Sequence, residues 1–178
     1  MSSKSLTYTY RIYPNKIQKN IINNTIKECN KYYSLLFNEL VKKEKEEQEY
    51  YKNLLLKKKA IPISNKRISL KDFTKKCYVK NKNKVDLEAV KNEIYKLQAR
   101  YKKYYKGKGT FPHNNRSKKE IYETKGIEID CNKVKLPIVG SVKAKLHREI
   151  NEGDKIKRVF VKKDSKNKYY VGLIMLIK

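Results

Sequence analysis

Leu6, Tyr8, Tyr10 and Ile12 alternate with Thr7, Thr9 and Arg11, the period-two pattern of a half-buried strand. Pro14 closes that strand, and Asn15 with Gln18 three residues later has the form of a capping box opening a helix. There the period changes: Ile22, Ile26, Cys29, Tyr33, Leu36 and Leu40 recur at spacings of four and three, which gives one continuous apolar helix face. Lys42 to Lys59 is charged throughout, with Tyr50, Tyr51, Leu54 and Leu55 supplying enough periodicity for a second helix. Ala60 to Asn83, with Pro62, Asn65 and Ser69 among lysines, reads as a connector carrying a short helix near Leu70 to Tyr78. Asp86 is placed to be an N-cap, and Leu87, Val90, Ile94, Leu97, Tyr101 and Tyr104 repeat at three and four until Gly107 and Gly109 stop the helix.

After Pro112 the texture changes to short alternating segments around Ile127 to Cys131, Val134 to Leu136, Val142 to Leu146, Val159 to Val161 and Tyr169 to Ile177. Asn132-Lys133, Val139-Gly140, Glu152-Gly153-Asp154 and Asp164 to Asn167 punctuate them as turns. Short strands joined by tight turns predict a small barrel or a strongly bent sheet. An isolated N-terminal strand is not stable, so it is expected to complete this C-terminal sheet. The expected class is therefore α+β: a small β-barrel from residues 1–14 and 112–178, interrupted by a helical bundle at 15–111.

Charge narrows the partner. Lys plus Arg number 45 against 18 acidic residues, a net charge of +27 and a pI near 9.9, and such self-repulsion is relieved by phosphate. Coding bias toward Lys, Asn, Ile and Tyr contributes to the lysine count but does not require so few acids. The 15 tyrosines suit a core edge that is also a binding surface, with Tyr8, Tyr10 and Tyr170 reading as core or rim positions rather than base platforms. The three cysteines, Cys29, Cys77 and Cys131, form no CxxC pair and have no histidine cluster beside them, which argues for a reducing compartment and against a zinc site. Cys29 falls on the apolar helix stripe and reads as core. No signal peptide or bilayer-length apolar run is present, so the expectation is a cytoplasmic protein without a membrane partner.

Two tracts carry more specific information: Arg11-Ile12-Tyr13-Pro14-Asn15-Lys16-Ile17-Gln18, and Val134-Lys135-Leu136-Pro137-Ile138-Val139-Gly140-Ser141-Val142-Lys143. Between them, the Tyr104-Tyr105 helix end leads into Gly109-Thr110-Phe111-Pro112. In this order they resemble the N-terminal half of TnpB, the transposon-encoded RNA-guided nuclease, and of its miniature type V CRISPR relatives. The resemblance covers essentially the whole chain. It implies an oligonucleotide-fold-like wedge barrel holding an inserted helical recognition domain, with guide RNA and target DNA duplex as partners. The chain reaches Lys178 about where the family's RuvC nuclease domain begins, so the expectation is a split subunit or fragment whose cleavage, and the Mg²⁺ it needs, belong to a RuvC-containing partner.

No catalytic residue is expected within these residues. Metal-dependent cleavage needs converging carboxylates, whereas Glu44, Glu46, Glu47 and Glu49 lie in a lysine-rich helix and Asp154 and Asp164 in turns. His113 and His147 have no nucleophile nearby in sequence, and no metal site is expected either. Binding is better supplied. On the helix after Asp86, Lys91, Tyr95, Gln98 and Lys102 share a polar face with Asn92 and Lys96 beside them, a combination that sets lysines on phosphates and an amide on a base edge. The resemblance implies DNA-motif contacts around this helix, although Lys91-Asn92 stands where the family often has a Gln pair.

For guide RNA, the linker Gly109 to Lys119 is similar to the family's return from bundle to barrel, with His113-Asn114-Asn115 replacing an aromatic and a basic residue and with Arg116, Lys118 and Lys119 retained. Lys143, Lys145 and His147 alternate with inward Val142, Ala144 and Leu146, so they are expected on one exposed face near Arg148, reading RNA mainly by shape and phosphate. Arg11, Tyr13 and Lys16 of the first tract join them as expected RNA contacts. A guide-independent DNA-binding repressor or transposon accessory protein is the competing reading.

Overall fold

The computed structural model describes residues 4–57, 84–114, 119–148, 150 and 154–177. The expected short helix near Leu70 to Tyr78, together with Cys77, Arg116 and Lys118, lies outside the described residues. In chain order the elements are β1 (Lys4–Tyr13), α1 (Lys16–Leu56), α2 (Leu87–Tyr105), β2 (Ile121–Thr124), β3 (Glu128–Asp130), β4 (Lys133–Leu136), β5 (Gly140–Lys145), β6 (Lys155–Lys163) and β7 (Tyr169–Ile177).

Asn15 and Gln18 close the capping box reciprocally: the Asn15 N–H donates to Gln18 Oε1 at 3.0 Å and the Gln18 N–H to Asn15 Oδ1 at 2.9 Å. From there α1 runs unbroken for 41 residues. The two helices expected before Lys59 are one, because Lys, Glu and Leu are all strong helix formers and no Gly or Pro interrupts them. All six residues of the predicted apolar stripe, Ile22 through Leu40, are buried. The second helix starts where Asp86 Oδ1 accepts the Ala89 N–H at 3.1 Å. It ends in a Schellman motif, with the Lys108 N–H on Lys103 O, the Gly107 N–H on Tyr104 O, and Gly107 at φ +65°. Asp86 N–H donates to Thr25 Oγ1 and Tyr104 Oη to Glu44, so α1 and α2 lie side by side running in the same direction.

The strands form one antiparallel sheet in the order β2-β6-β7-β1-β5-β4-β3. As expected, the N-terminal strand completes the C-terminal sheet, and it does so from the middle, between β7 and β5. Strand β2 escaped the sequence pattern, since four residues ending in Glu and Thr carry barely one alternation. The expected barrel is corrected: the sheet is open, its edges β2 and β3 unjoined among the described residues. A barrel buries its inner side chains against each other. Here Tyr10, Ile12, Val134, Val142, Val171, Leu173 and Met175 join Ile22, Ile26 and Leu36 of α1 and Val90, Ile94 and Leu97 of α2 in one apolar core, so helices supply the cover that closure would have supplied.

Candidate nucleic-acid interface

The two tracts singled out in the sequence are neighbours in space. Tyr13 pairs with Lys143, Ile12 with Ala144 and Arg11 with Lys145 across β1 and β5. Gln18, already half of the capping box, donates through Nε2 to Ser141 O at 2.9 Å and Val139 O at 3.4 Å. The turn it clasps needs a left-handed residue at Gly140, φ +80°, and holds Ile138 there too, at φ +63°. One glutamine thus ties the strand-to-helix tract to the Pro137–Gly140 turn.

Directly opposed residues in an antiparallel ladder point to the same face. The register therefore maps the face turned away from the helices. One row reads Lys133, Lys143, Tyr13; the next reads Lys145, Arg11, Tyr170, Lys162; the next Thr9, Gly172, Phe160. Lys133, Lys143, Lys145, Arg11, Tyr13 and Lys162 are exposed. The Arg11 guanidinium lies 5.0 Å from the Tyr13 ring centre, a cation–π contact. Tyr170 Oη donates to Asp164 Oδ2 at 3.2 Å. Desolvation, then the adjacent Asp164 carboxylate, hold the Tyr170 hydroxyl above its ordinary pKa. The Lys168 N–H, with those of Lys166 and the Tyr170 hydroxyl, holds Asp164 below its own.

Of the expected RNA contacts, Arg11, Tyr13, Lys143 and Lys145 are thus brought together. His147 is not among them. β5 ends at Lys145, so the alternation stops, and the His147 ring packs edge-on against the buried Tyr10 ring at 5.2 Å. Arg148 accompanies it, its guanidinium 5.4 Å from the Tyr8 ring and its carbonyl accepting from Tyr10 Oη. Both remain exposed, but on the Tyr8 and Tyr10 side of β1 and not beside Lys143 and Lys145. Lys16 is exposed at the start of α1. Lys119 is exposed beside α1, its carbonyl accepting from Asn30 Nδ2 at 3.0 Å.

On α2 the buried stripe is Ala89, Val90, Glu93, Ile94 and Leu97. Lys91, Tyr95, Gln98 and Lys102 follow the i, i+4, i+7, i+11 spacing of a single strip, with Tyr95 and Lys102 exposed. Lys91 is engaged by Glu88 at 3.8 Å. Asn92 and Lys96 stand beside that strip, as the spacing places them. Lys96 is clamped between Glu93 at 3.0 Å and Glu123 of β2 at 2.6 Å, and the Nδ2 of Asn92 is shut off from solvent without a hydrogen-bond partner. An amide atom in that position is not presented to a base edge.

The helices meet the sheet through Asp86, which is buried and bonded three ways: to Ala89 N–H, to Thr25 through its own N–H, and through Oδ2 to the Thr124 hydroxyl of β2. Where α1 and α2 run on together, the Tyr104 and Tyr105 hydroxyls donate to Glu44 and Glu47 at 2.9 Å. Burial and Glu44 raise the Tyr101 pKa, and burial raises that of Tyr122 in β2. Among the described residues no three His, Cys, Asp or Glu side chains group as metal ligands, and no helix is long and apolar enough to cross a membrane. No protein-family model matches the chain, and a search of curated proteins returns no significant match.

Proposed function

We propose that this chain is the guide-RNA-binding and DNA-motif-recognising module of a TnpB-like RNA-guided DNA endonuclease, with the RuvC nuclease supplied by a separate chain or by further sequence. In this reading the open sheet is the family's oligonucleotide-fold-like wedge, residues 1–14 and 112–178, and the helices are its recognition domain, 15–111. The observation that carries the reading is the Gln18 clasp. The two tracts bearing the resemblance lie more than a hundred residues apart in the chain, yet one side chain of the first grips the turn of the second. Beside that clasp stands the basic sheet face, and the α2 strip Lys91, Tyr95, Gln98 and Lys102 offers a second basic and amide-bearing surface for duplex DNA.

The test is to purify the chain from its host and sequence co-purifying nucleic acid, then to measure duplex binding with and without that RNA. A defined, structured RNA retained at moderate salt, on which duplex binding depends, is the expected result. Adding a RuvC-bearing partner, Mg²⁺ and target should then give cleavage that neither chain gives alone. Equal duplex affinity without RNA would replace this reading with the guide-independent DNA-binding repressor or transposon accessory protein.

A further inference from the structure

The outer sheet face carries a diagonal of aromatic rings. Phe160 on β6, Tyr170 on β7 and Tyr13 on β1 each step one strand over and one row along, because Phe160 pairs with Gly172, Lys162 with Tyr170, and Tyr170 with Arg11. Gly172 is what lets the first ring lie down: a Cβ at that position would come within 1.9 Å of Phe160 Cζ, so the ring tip rests directly over the glycine. Cations flank the diagonal, with Arg158 two residues before Phe160, Lys162 beside Tyr170, and Arg11, Lys143 and Lys145 around Tyr13; Glu123, opposite Phe160 on β2, is ion-paired with Lys96. Among the described residues no ion pair engages any of these five cations.

We infer that this face is a stacking platform for an unpaired stretch of RNA, its bases lying on Phe160, Tyr170 and Tyr13 and its phosphates between the flanking cations. Spacing selects single strand over duplex. Diagonal positions on a sheet stand about 7–8 Å apart, roughly twice the ~3.4 Å repeat of a stacked strand, so the rings match bases drawn apart from one another. Charge selects a polyanion, on a chain of net +27. Aromatic faces interleaved with cations are the sequence-tolerant way of holding single strands. The choice of RNA over DNA rests on the proposed function; the platform itself does not.

The experiment titrates the full chain with fluorescent oligo(U) of roughly ten nucleotides, with oligo(dT) of the same length and with duplex RNA, folding of each variant being checked by its melting curve. Tyr13→Ala and Tyr170→Ala are each expected to weaken oligo(U) binding on the order of tenfold while Tyr13→Phe, Tyr170→Phe and duplex affinity stay within about twofold. Gly172→Ala, which lifts the Phe160 ring without removing a ring or a charge, is expected to weaken oligo(U) selectively as well. The platform is overturned if ring removal leaves oligo(U) binding intact or weakens duplex equally, and the RNA assignment is overturned if oligo(dT) binds as tightly. Scaffold RNA retained by a chain insensitive to ring removal would sink the platform and leave the proposed function. Ring-dependent oligo(U) binding with no scaffold retained would do the reverse.

Discussion

The two faces of the sheet are built by the same strands from alternate residues, and they put the same amino acid to opposite uses. Tyr10, Tyr122 and Tyr169 point toward the helices and are buried, their rings filling volume; Tyr169 Oη donates to Asn23 and Tyr10 Oη to the Arg148 carbonyl. Tyr13 and Tyr170, on the other face, sit among Arg11, Lys143, Lys145 and Lys162, with Tyr13 45% exposed. Neighbours in sequence, Tyr169 and Tyr170, thus fall into different environments. Strand parity makes the difference, and the helices give it meaning by covering one side only.

The sharpest way to break the comparison is to strike each face and measure both stability and binding. Leu173→Ala, inside, is expected to cost about 3 kcal/mol in chemical denaturation and to leave the salt dependence of nucleic-acid binding unchanged in the folded fraction. Replacing Arg11, Lys143 and Lys145 together by alanine, outside, should shift stability by no more than about 0.5 kcal/mol. It should instead lower the log–log salt slope for single-stranded RNA by about 2, at roughly 0.7 per lost phosphate contact. A large stability loss in the triple variant would mean that the outer face is structural.

Asp86→Ala strikes the joint between helices and sheet. It removes an N-cap and leaves the buried Thr124 hydroxyl without its acceptor, an expected loss of about 2 kcal/mol read by thermal or urea melting. At the clasped turn the expected sign is reversed. Ile138 is β-branched, half exposed and held at φ +63°. Ile138→Asn is expected to raise stability by about 1 kcal/mol, because Asn accepts the left-handed region at less cost.

The smallest effects are those of pH. Burial and Glu44 raise the Tyr101 pKa and burial raises that of Tyr122, so their contribution is complete below the ordinary tyrosine value of 10.0 and is lost as pH climbs beyond it. Asp164 is the converse. Its depressed pKa contributes above the ordinary 3.8 and is lost as pH falls through the folded-state value, a loss that Asp164→Asn should abolish in acid denaturation curves.

Much of this was legible beforehand. The α1 stripe, the α2 cap at Asp86, the capping box and the burial of Tyr10 and Ile12 in β1 were all readable, because each depends on a period or a spacing within one element; Leu6, in the same alternation, is exposed. What escaped depended on cover or length. Lys42 to Lys59 read as a second helix because a charged run separates Leu40 from the periodicity of Tyr50 to Leu55, yet nothing there breaks a helix and α1 continues to Leu56. His147 was assigned to the Lys143 and Lys145 face by extending an alternation past the residue where β5 ends. Lys96 was read as a DNA contact without its ion pair to Glu123 being visible, because Glu123 lies on a strand too short to show a pattern.

Alone, then, the sequence determined most of the elements, the helix stripes, the charge of +27 and the two tracts that the structure brings together. Only the tertiary structure decided that the sheet stays open, that β1 sits at its centre, and that Phe160, Tyr170 and Tyr13 line up among cations. The physical reason is locality. Backbone periodicity is set by neighbours a few residues apart, whereas a face is assembled by register between strands distant in sequence, and register is fixed by what the opposite face must bury.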